Sequence, residues 1–315
     1  MNFFFLMDPL ESINIKKDTT FILMVGAHRA GHRTFYVAKD GLSLLNGELV
    51  VAATEVVAQK ILKQPFIIKK QYLLNSKDIH AFFVRTDPPF DQKYLTHTWL
   101  LDLLPKHIPV INSPNGIRTA NEKLWATQFR AITPRAFIGS KRELLLDFIN
   151  SENEVIAKPL NGFGGGGIFY IKKGDVNTKV ILETLSRNFR DEIKLQKYIP
   201  DAKNGDKRIL LLGGEPLGAV LRVHEKGDHR NNFFAGGKPK STLITKRDLE
   251  IIGILKPKLK ELGLYFVGID IIGGYLIEVN VTSPTCLQEM NALYDKQLED
   301  QVIEFTEKLI DPLEN

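Results

Sequence analysis

The amino-acid sequence predicts an α/β protein of about two domains, and three observations lead there. The chain has 315 residues, and domains average roughly 150 residues each. Roughly its first 120 residues alternate short apolar strands with helical stretches, the pattern of a parallel sheet with helices on its faces. After about residue 150 the chain turns strand-rich, and a run of glycines separates two of the strands.

The elements follow in order. Residues 3–7 (FFFLM) form an apolar strand. Residues 18–31 form a helix with Asp18 as N-cap and Gly31 past its end. Strands follow at 34–38 and within 78–87, a helix at 94–104 and a short buried strand within 109–114. Two strand ends carry clustered charge: Asp8-Pro9 with SINIKKD behind it (12–18), and RTDPPFD (85–91). Ligands of open α/β sheets bind beyond such carboxyl ends. From Asn121 the stretch NEKLWATQF reads as helical, followed by a segment at 132–138, a helix at 141–150 and strands at 154–158 and 168–173. Residues 208–223 form a hairpin around Gly213-Gly214. Residues 224–241 show no period, and a loop of that length inside a compact domain is usually functional or disordered. A helix spans 245–262, with Pro257 expected to kink or shorten it. A last hairpin at 265–281 leads through TSPT into a C-terminal helix.

Composition narrows the function classes. Hydrophobic residues make up 43% and charged residues 25%, close to globular averages, which excludes disorder, collagen and a disulfide scaffold. The single cysteine, Cys286, cannot form an internal bridge. The balance of 42 basic against 37 acidic residues suits small anions, and without a Lys/Arg run it does not imply nucleic acid. No apolar stretch approaches the length of a membrane span. The apolar start lacks a basic flank and is cut short by Asp8-Pro9, so the expected location is cytoplasmic.

Residues 158–167, KPLNGFGGGG, are the loudest local signal. Glycines let backbone N–H groups close on phosphate oxygens. A Walker A loop would end in Gly-Lys-Ser/Thr, and Ile168-Phe169 stands there instead. A dinucleotide fingerprint would lead into a helix, whereas IFYIKK reads as a strand. What remains is a glycine flap between two strands with Lys158 at its base, suited to covering a triphosphate; the structural alternative is a plain hairpin tip.

The last hairpin is informative at period two. Val267, Ile269 and Ile271 with Ile277, Val279 and Val281 form one apolar set. Asp270, Glu278 and Asn280 then share the opposite face. A simple two-residue turn at Gly273-Gly274 would place Asp270 opposite Ile277, on the wrong face. A three-residue or bulged turn, with Asp270 opposite Glu278, is therefore expected. Two carboxylates and an amide oxygen make a hard-oxygen site of the kind magnesium prefers, shared with phosphate and water.

These motifs together resemble the bacterial-type glutathione synthetase family of the ATP-grasp superfamily. The resemblance runs from about residue 3 to 310 and is carried by MDPLESINIKKD, RTDPPFD, NEKLW, KPLNGFGGGGIF, NGDKRILLLGGEP, FVGIDIIGG and IEVNVTSPTC. The chain departs from the family pattern at Thr86, where lysine is common, and in its glycine-richer flap. The resemblance implies an ATP-grasp fold preceded by a Rossmann-like α/β domain. The implied parts are an N-terminal domain at 1–122, a central lid domain with the flap at 123–200, and a C-terminal domain with the metal site at 201–315. It implies an ATP-dependent ligase joining γ-glutamylcysteine and glycine through an acyl phosphate, with two magnesium ions, or manganese, accompanying ATP. It also implies a homo-oligomer, typically a tetramer.

By motif, the resemblance assigns Lys123, Lys158, Gly164, Gly165, Gly166, Gly167, Gln196, Lys197, Tyr198, Ile199 and Asp206 to ATP, and Asp270, Glu278 and Asn280 to the metal. Arg208, Lys158 and Arg230 are the expected catalytic groups. Asp87, Arg208, Arg230, Ser283 and Thr285 are the expected substrate contacts, with Arg230 on a closing loop at 224–241. Three rival readings stand beside this one: another ATP-grasp carboxylate–amine ligase, an ATP-binding scaffold without catalysis and, weakest, a nucleic-acid binder.

Overall fold

The computed structural model of the chain describes residues 1–162, 164–224 and 237–310. Among the described residues the strands fall into three sheets. In the first, β1 (Asn2–Leu6), β2 (Arg33–Val37), β6 (Ala81–Val84) and β7 (Val110–Ile111) pair in parallel, in the order β2-β1-β6-β7. Helix α1 (Thr19–Arg29) makes the crossover from β1, and the Asp18 side chain caps it by accepting from Phe21 N at 2.6 Å. Helix α2 (Gln92–Leu101), capped by Asp91, crosses from β6 to β7. The two crossovers leave in opposite directions from the neighbouring strands β1 and β6, so a crevice opens beyond their carboxyl ends.

The sheet is not purely parallel. A meander of β3 (Leu42–Leu45), β4 (Glu48–Ala58) and β5 (Phe66–Asn75), absent from the sequence reading, adds antiparallel strands to the β2 edge. Helix α3 (Pro114–Thr119) ends this part of the chain.

The second sheet has the order β10-β9-β11-β8, from β8 (Ala136–Gly139), β9 (Glu154–Pro159), β10 (Phe169–Lys172) and β11 (Ile193–Lys197), all antiparallel. Odd-numbered residues Val155, Ala157, Ile171, Ile193 and Leu195 bury against α4 (Arg142–Glu152) and α5 (Thr178–Leu185). Even-numbered Lys158, Lys194 and Gln196 therefore take the other face. The segment NEKLWATQF does not form an α-helix. The Asn121 side chain accepts from the amides of Lys123 and Leu124 at 3.1 and 3.0 Å, a local turn that competes with helix, and only a 3-10 turn at Trp125–Gln128 follows.

The third sheet is β14-β13-β12-β15-β16, from β12 (Asp206–Leu212), β13 (Glu215–Val223), β14 (Lys238–Lys240), β15 (Phe266–Ile272) and β16 (Tyr275–Asn280). The end of the stretch expected to be loop is thus an edge strand, with Lys240 opposite Leu221. Helix α6 (Lys246–Glu261) starts in a capping box of Thr245 and Asp248 and runs on through Pro257. Pro257 and Gly253, whose carbonyl loses its partner, both lie on the solvent face, so the unpaired carbonyl is not shut away from water. The C-terminal part is two helices, α7 (Leu287–Tyr294) and α8 (Leu298–Ile310), separated at left-handed Asp295.

Buried Asn112, just after β7, joins the first and third sheets. Its Nδ2 donates to the carbonyls of Phe266 and Val281, and its Oδ1 accepts from Phe266 N, all at 2.7 Å.

Candidate functional site

The hairpin β15–β16 keeps Asp270 opposite Glu278, as its hydrophobic pattern requires. The turn itself is a two-residue one, with Gly273 and Gly274 at φ +55° and +76°. Ile272 faces Tyr275 and Ile271 faces Leu276; the extra residue is Ile277, bulged out of the ladder. The bulge sends Leu276 rather than Ile277 into the core, beside Val279 and Val281. Ile277 lines the adjoining cavity instead. The expectation of an irregular hairpin is met, with the irregularity in the strand and not in the turn.

The same period places further charged residues on this face. Arg208 stands opposite Asp270, and Asp206 opposite Arg222. All four are buried. Arg222 donates to both Asp206 oxygens at 2.7 Å and reaches Asp270 at 3.0 Å. Arg208 grips Asp270 through Nε and, at 2.9 Å, Nη2. Burial works against ionising Asp270, but the Arg208 and Arg222 guanidiniums outweigh it and hold its carboxyl well below the usual carboxylate range. For Asp206 burial wins, and its carboxyl is pushed up. The Asn280 amide nitrogen donates to the Gly268 carbonyl at 3.1 Å and lies 3.4 Å from Asp270, which leaves its oxygen as the group to offer a cation.

Glu278 bridges to the opposite wall. Lys123 Nζ lies 2.9 Å from its Oε1 and also donates to the carbonyl of Gly162 at the base of the flap. Burial raises the Glu278 pKa, but Lys123 and Lys158 overcome this and the carboxyl is lowered. Lys123 is raised in return: burial opposes its charge, and Glu278 more than restores it. Lys158 projects into the cleft, where burial lowers its pKa. In the flap, Gly164 and Gly165 sit at φ +63° and +83°, a left-handed pair that side chains disfavour. Gly164, Gly165 and Gly166 line the cleft, while Gly167 turns the chain toward β10.

Two cavities adjoin this cleft. One is lined on its apolar side by Ile156, Ile168, Tyr198, Ile199 and Ile277, with Gln196, Lys197 and Asp206 beside them, and it shares Lys158, Asp270 and Glu278 with the cleft. The other lies in the crevice beyond β1 and β6, among Asp8, Lys17, Asp18, Arg85, Asp87, Thr285 and Glu289. Buried Arg85 donates to Thr20 Oγ1 and the Pro284 carbonyl, both at 3.0 Å. Ser283 donates to Asp87 at 2.5 Å. Glu289 Oε2 is buried without a hydrogen-bond partner among the described residues, and burial raises its pKa.

The residues expected to bind ATP, metal or substrate line these cavities, with two exceptions: Gly167, which turns the chain toward β10, and Arg230, which lies outside the described residues with most of its loop. The sequence reading missed Glu122, whose Oε1 accepts from Val281 N, Thr282 N and Thr282 Oγ1. It also missed Arg222, Arg85, Glu289 and Lys194. Arg222 and Lys194 were detectable as charges interrupting buried strands. The donor set fits magnesium: two ionised carboxylates and an amide oxygen converge on a cleft that is also lined by Lys123 and Lys158. Among the described residues no group of three His, Cys, Asp or Glu could hold a metal without such help.

Comparison with known proteins shows the fold and the family. Residues 1–118 match the N-terminal domain of prokaryotic glutathione synthetase, and residues 122–295 match its ATP-grasp domain. The glutathione synthetase of Synechocystis sp. is 38% identical over 318 residues, covering 98% of this chain and 99% of the relative. Among solved structures, D-cycloserine synthetase DcsG superposes with a TM-score of 0.68 at 12% identity, covering 98% of this chain and 99% of its own. The ATP-grasp ligase PsnB, complexed with a phosphomimetic variant of its minimal precursor, Mg and ADP, gives 0.62 at 14%, covering 97% and 98%. The fold is an ATP-grasp fold, and the chain belongs to the prokaryotic glutathione synthetase family.

Proposed function

We infer that the chain is a glutathione synthetase, an ATP-dependent ligase that joins γ-glutamylcysteine to glycine and releases ADP and phosphate. Family membership along the whole chain supports the reaction. The observation that carries the chemistry is the cross-strand row Arg208–Asp270–Glu278, facing Lys123 and Lys158 across one cleft.

The first step brings a carboxylate to a triphosphate, so repulsion between anions is the barrier the site must lower. Lys158 and Lys123 supply positive charge at the phosphates, and the flap glycines offer backbone N–H groups. Magnesium held by Asp270, Glu278 and Asn280, two ions with ATP in our reading and manganese as a substitute, would screen the phosphate oxygens. The cysteinyl carboxylate attacks the γ-phosphorus, giving an acyl phosphate and ADP. The glycine amine then attacks the acyl carbon and phosphate leaves. Arg208 stabilises the developing oxyanion, with Asp270 fixing its guanidinium. No strong general base is assigned, and positioning of the amine suffices.

The crevice beyond β1 and β6 suits the γ-glutamyl end. Lys17 and Arg85 complement a carboxylate, while Asp87 and the unpartnered Glu289 oxygen complement an ammonium. Ser283 and Thr285 are assigned to the substrates, and Gln196 to Ile199 to the adenine side. Arg230 is assigned to substrate on sequence grounds. Domain limits near 122 and 200, a cytoplasmic location and a homo-oligomeric assembly belong to the same reading.

The test is phosphate release from Mg–ATP with γ-glutamylcysteine, with and without glycine. Release requiring both substrates, with glutathione appearing mole for mole, is expected. ATP binding without release on this pair would overturn the substrate assignment and favour another carboxylate–amine pair.

A further inference from the structure

Lys194 is a buried lysine that the reaction above does not use. It lies on β11 directly beside Lys158 on β9, on the face of the second sheet turned to the cleft. Only 1% of it is exposed. It lines neither the phosphate cleft nor the adenine-side cavity. Its Nζ donates to the main-chain carbonyl of Lys123 at 2.8 Å. The amide of that same residue donates to Asn121 Oδ1 at 3.1 Å. Lys123 is therefore held at both its N–H and its C=O, and from that fixed backbone its ammonium spans the Gly162 carbonyl and Glu278.

We propose that Lys194 is a positioning residue for nucleotide binding: it fixes the backbone of Lys123, so that the Lys123 ammonium is delivered to the phosphates. The proposal rests on the reading of Lys123 as a phosphate ligand. Burial, reinforced by neighbouring Lys158, lowers the Lys194 pKa to about 6. Near neutral pH the side chain is thus an amine, which still donates a hydrogen bond but adds no third positive charge beside Lys123 and Lys158. A methionine of similar length would fill the space and leave the carbonyl ungripped.

Mg–ATP affinity, measured by titration calorimetry on the full chain, tests this with K194M, K123M and the double variant, each checked for folding by thermal melt. K194M should weaken binding about fivefold, as expected for one hydrogen bond's worth of positioning. K123M should weaken it about thirtyfold, since a charge-assisted contact is lost. The double variant should bind as K123M does, within about twofold, because Lys194 acts only through that ammonium. A double variant weaker by the product of the two effects, or a K194M that binds normally, would overturn the proposal alone. A K123M that binds normally would overturn the assignment of Lys123 and the proposal with it. If K194M does not fold, K194Q replaces it in the same cycle: its shorter amide cannot span the 2.8 Å contact, and the same outcomes decide.

Discussion

The two walls of the cleft solve opposite electrostatic problems. The third sheet carries carboxylates, and each buried one is matched within that sheet: Asp206 by Arg222, and Asp270 by Arg208 and Arg222. The second sheet carries Lys158 and Lys194, with burial lowering both. The ionic link between the walls runs through Lys123 and Glu278. The acidic wall is complete before any ligand arrives, whereas the basic wall is short of negative charge. A triphosphate would supply that charge, in line with the proposed function.

The comparison predicts where stability resides. Arg222→Met should destabilise the fold by about 3–5 kcal/mol, because it leaves Asp206 and Asp270 buried with fewer partners. Urea unfolding measures this, and a loss below about 1 kcal/mol would mean that the acidic wall is not self-neutralised. Glu278→Gln keeps the shape and removes a charge. Turnover should fall by about 10²–10³-fold, on the scale of losing one key electrostatic group, while the melting temperature changes little. Near-normal turnover would sink the metal assignment.

Lys158→Met should behave in the opposite way to the Arg222 variant: activity lost, stability unchanged or higher, because an isolated buried ammonium is replaced by apolar volume. A destabilised variant would show that the lysines of the second sheet are structurally paired after all. The smallest effect concerns pH. Lys194 titrates near 6 in the fold against 10.5 when unfolded. Between these values the unfolded chain binds the extra proton, so this residue makes stability rise with pH, by at most about 1.4 kcal/mol per unit. Comparing unfolding free energies at pH 7 and 9, K194M should show a shallower rise than the parent chain. An identical slope would contradict the buried, unpaired state of Lys194.

Legibility from sequence followed the same division. The carboxylate wall was readable because strand alternation fixes faces, and Asp270, Glu278 and Asn280 fell into step only if the hairpin was irregular. The exact place of the irregularity was not readable, since a bulge at Ile277 and a longer turn give the same alternation. Glycine flap and Lys158 were evident as neighbours in sequence. Lys194 and Glu122 were not, because their roles depend on contacts to distant backbone: the carbonyl of Lys123 and the amides of Val281 and Thr282. The β3–β5 meander escaped for another reason. Its strands are half-exposed, with Ile68 and Leu73 on the surface, so apolar and polar positions do not separate cleanly.

The most direct measurement follows oxygen. The chain is given Mg–ATP, glycine and γ-glutamylcysteine carrying ¹⁸O in both oxygens of its cysteinyl carboxylate, and the products are weighed by mass spectrometry. Attack of that carboxylate on the γ-phosphorus, then displacement by the amine, leaves one label in the new amide and carries the other into phosphate. Glutathione and phosphate with one ¹⁸O each is the predicted result. Unlabelled phosphate, or no glutathione, would contradict the account.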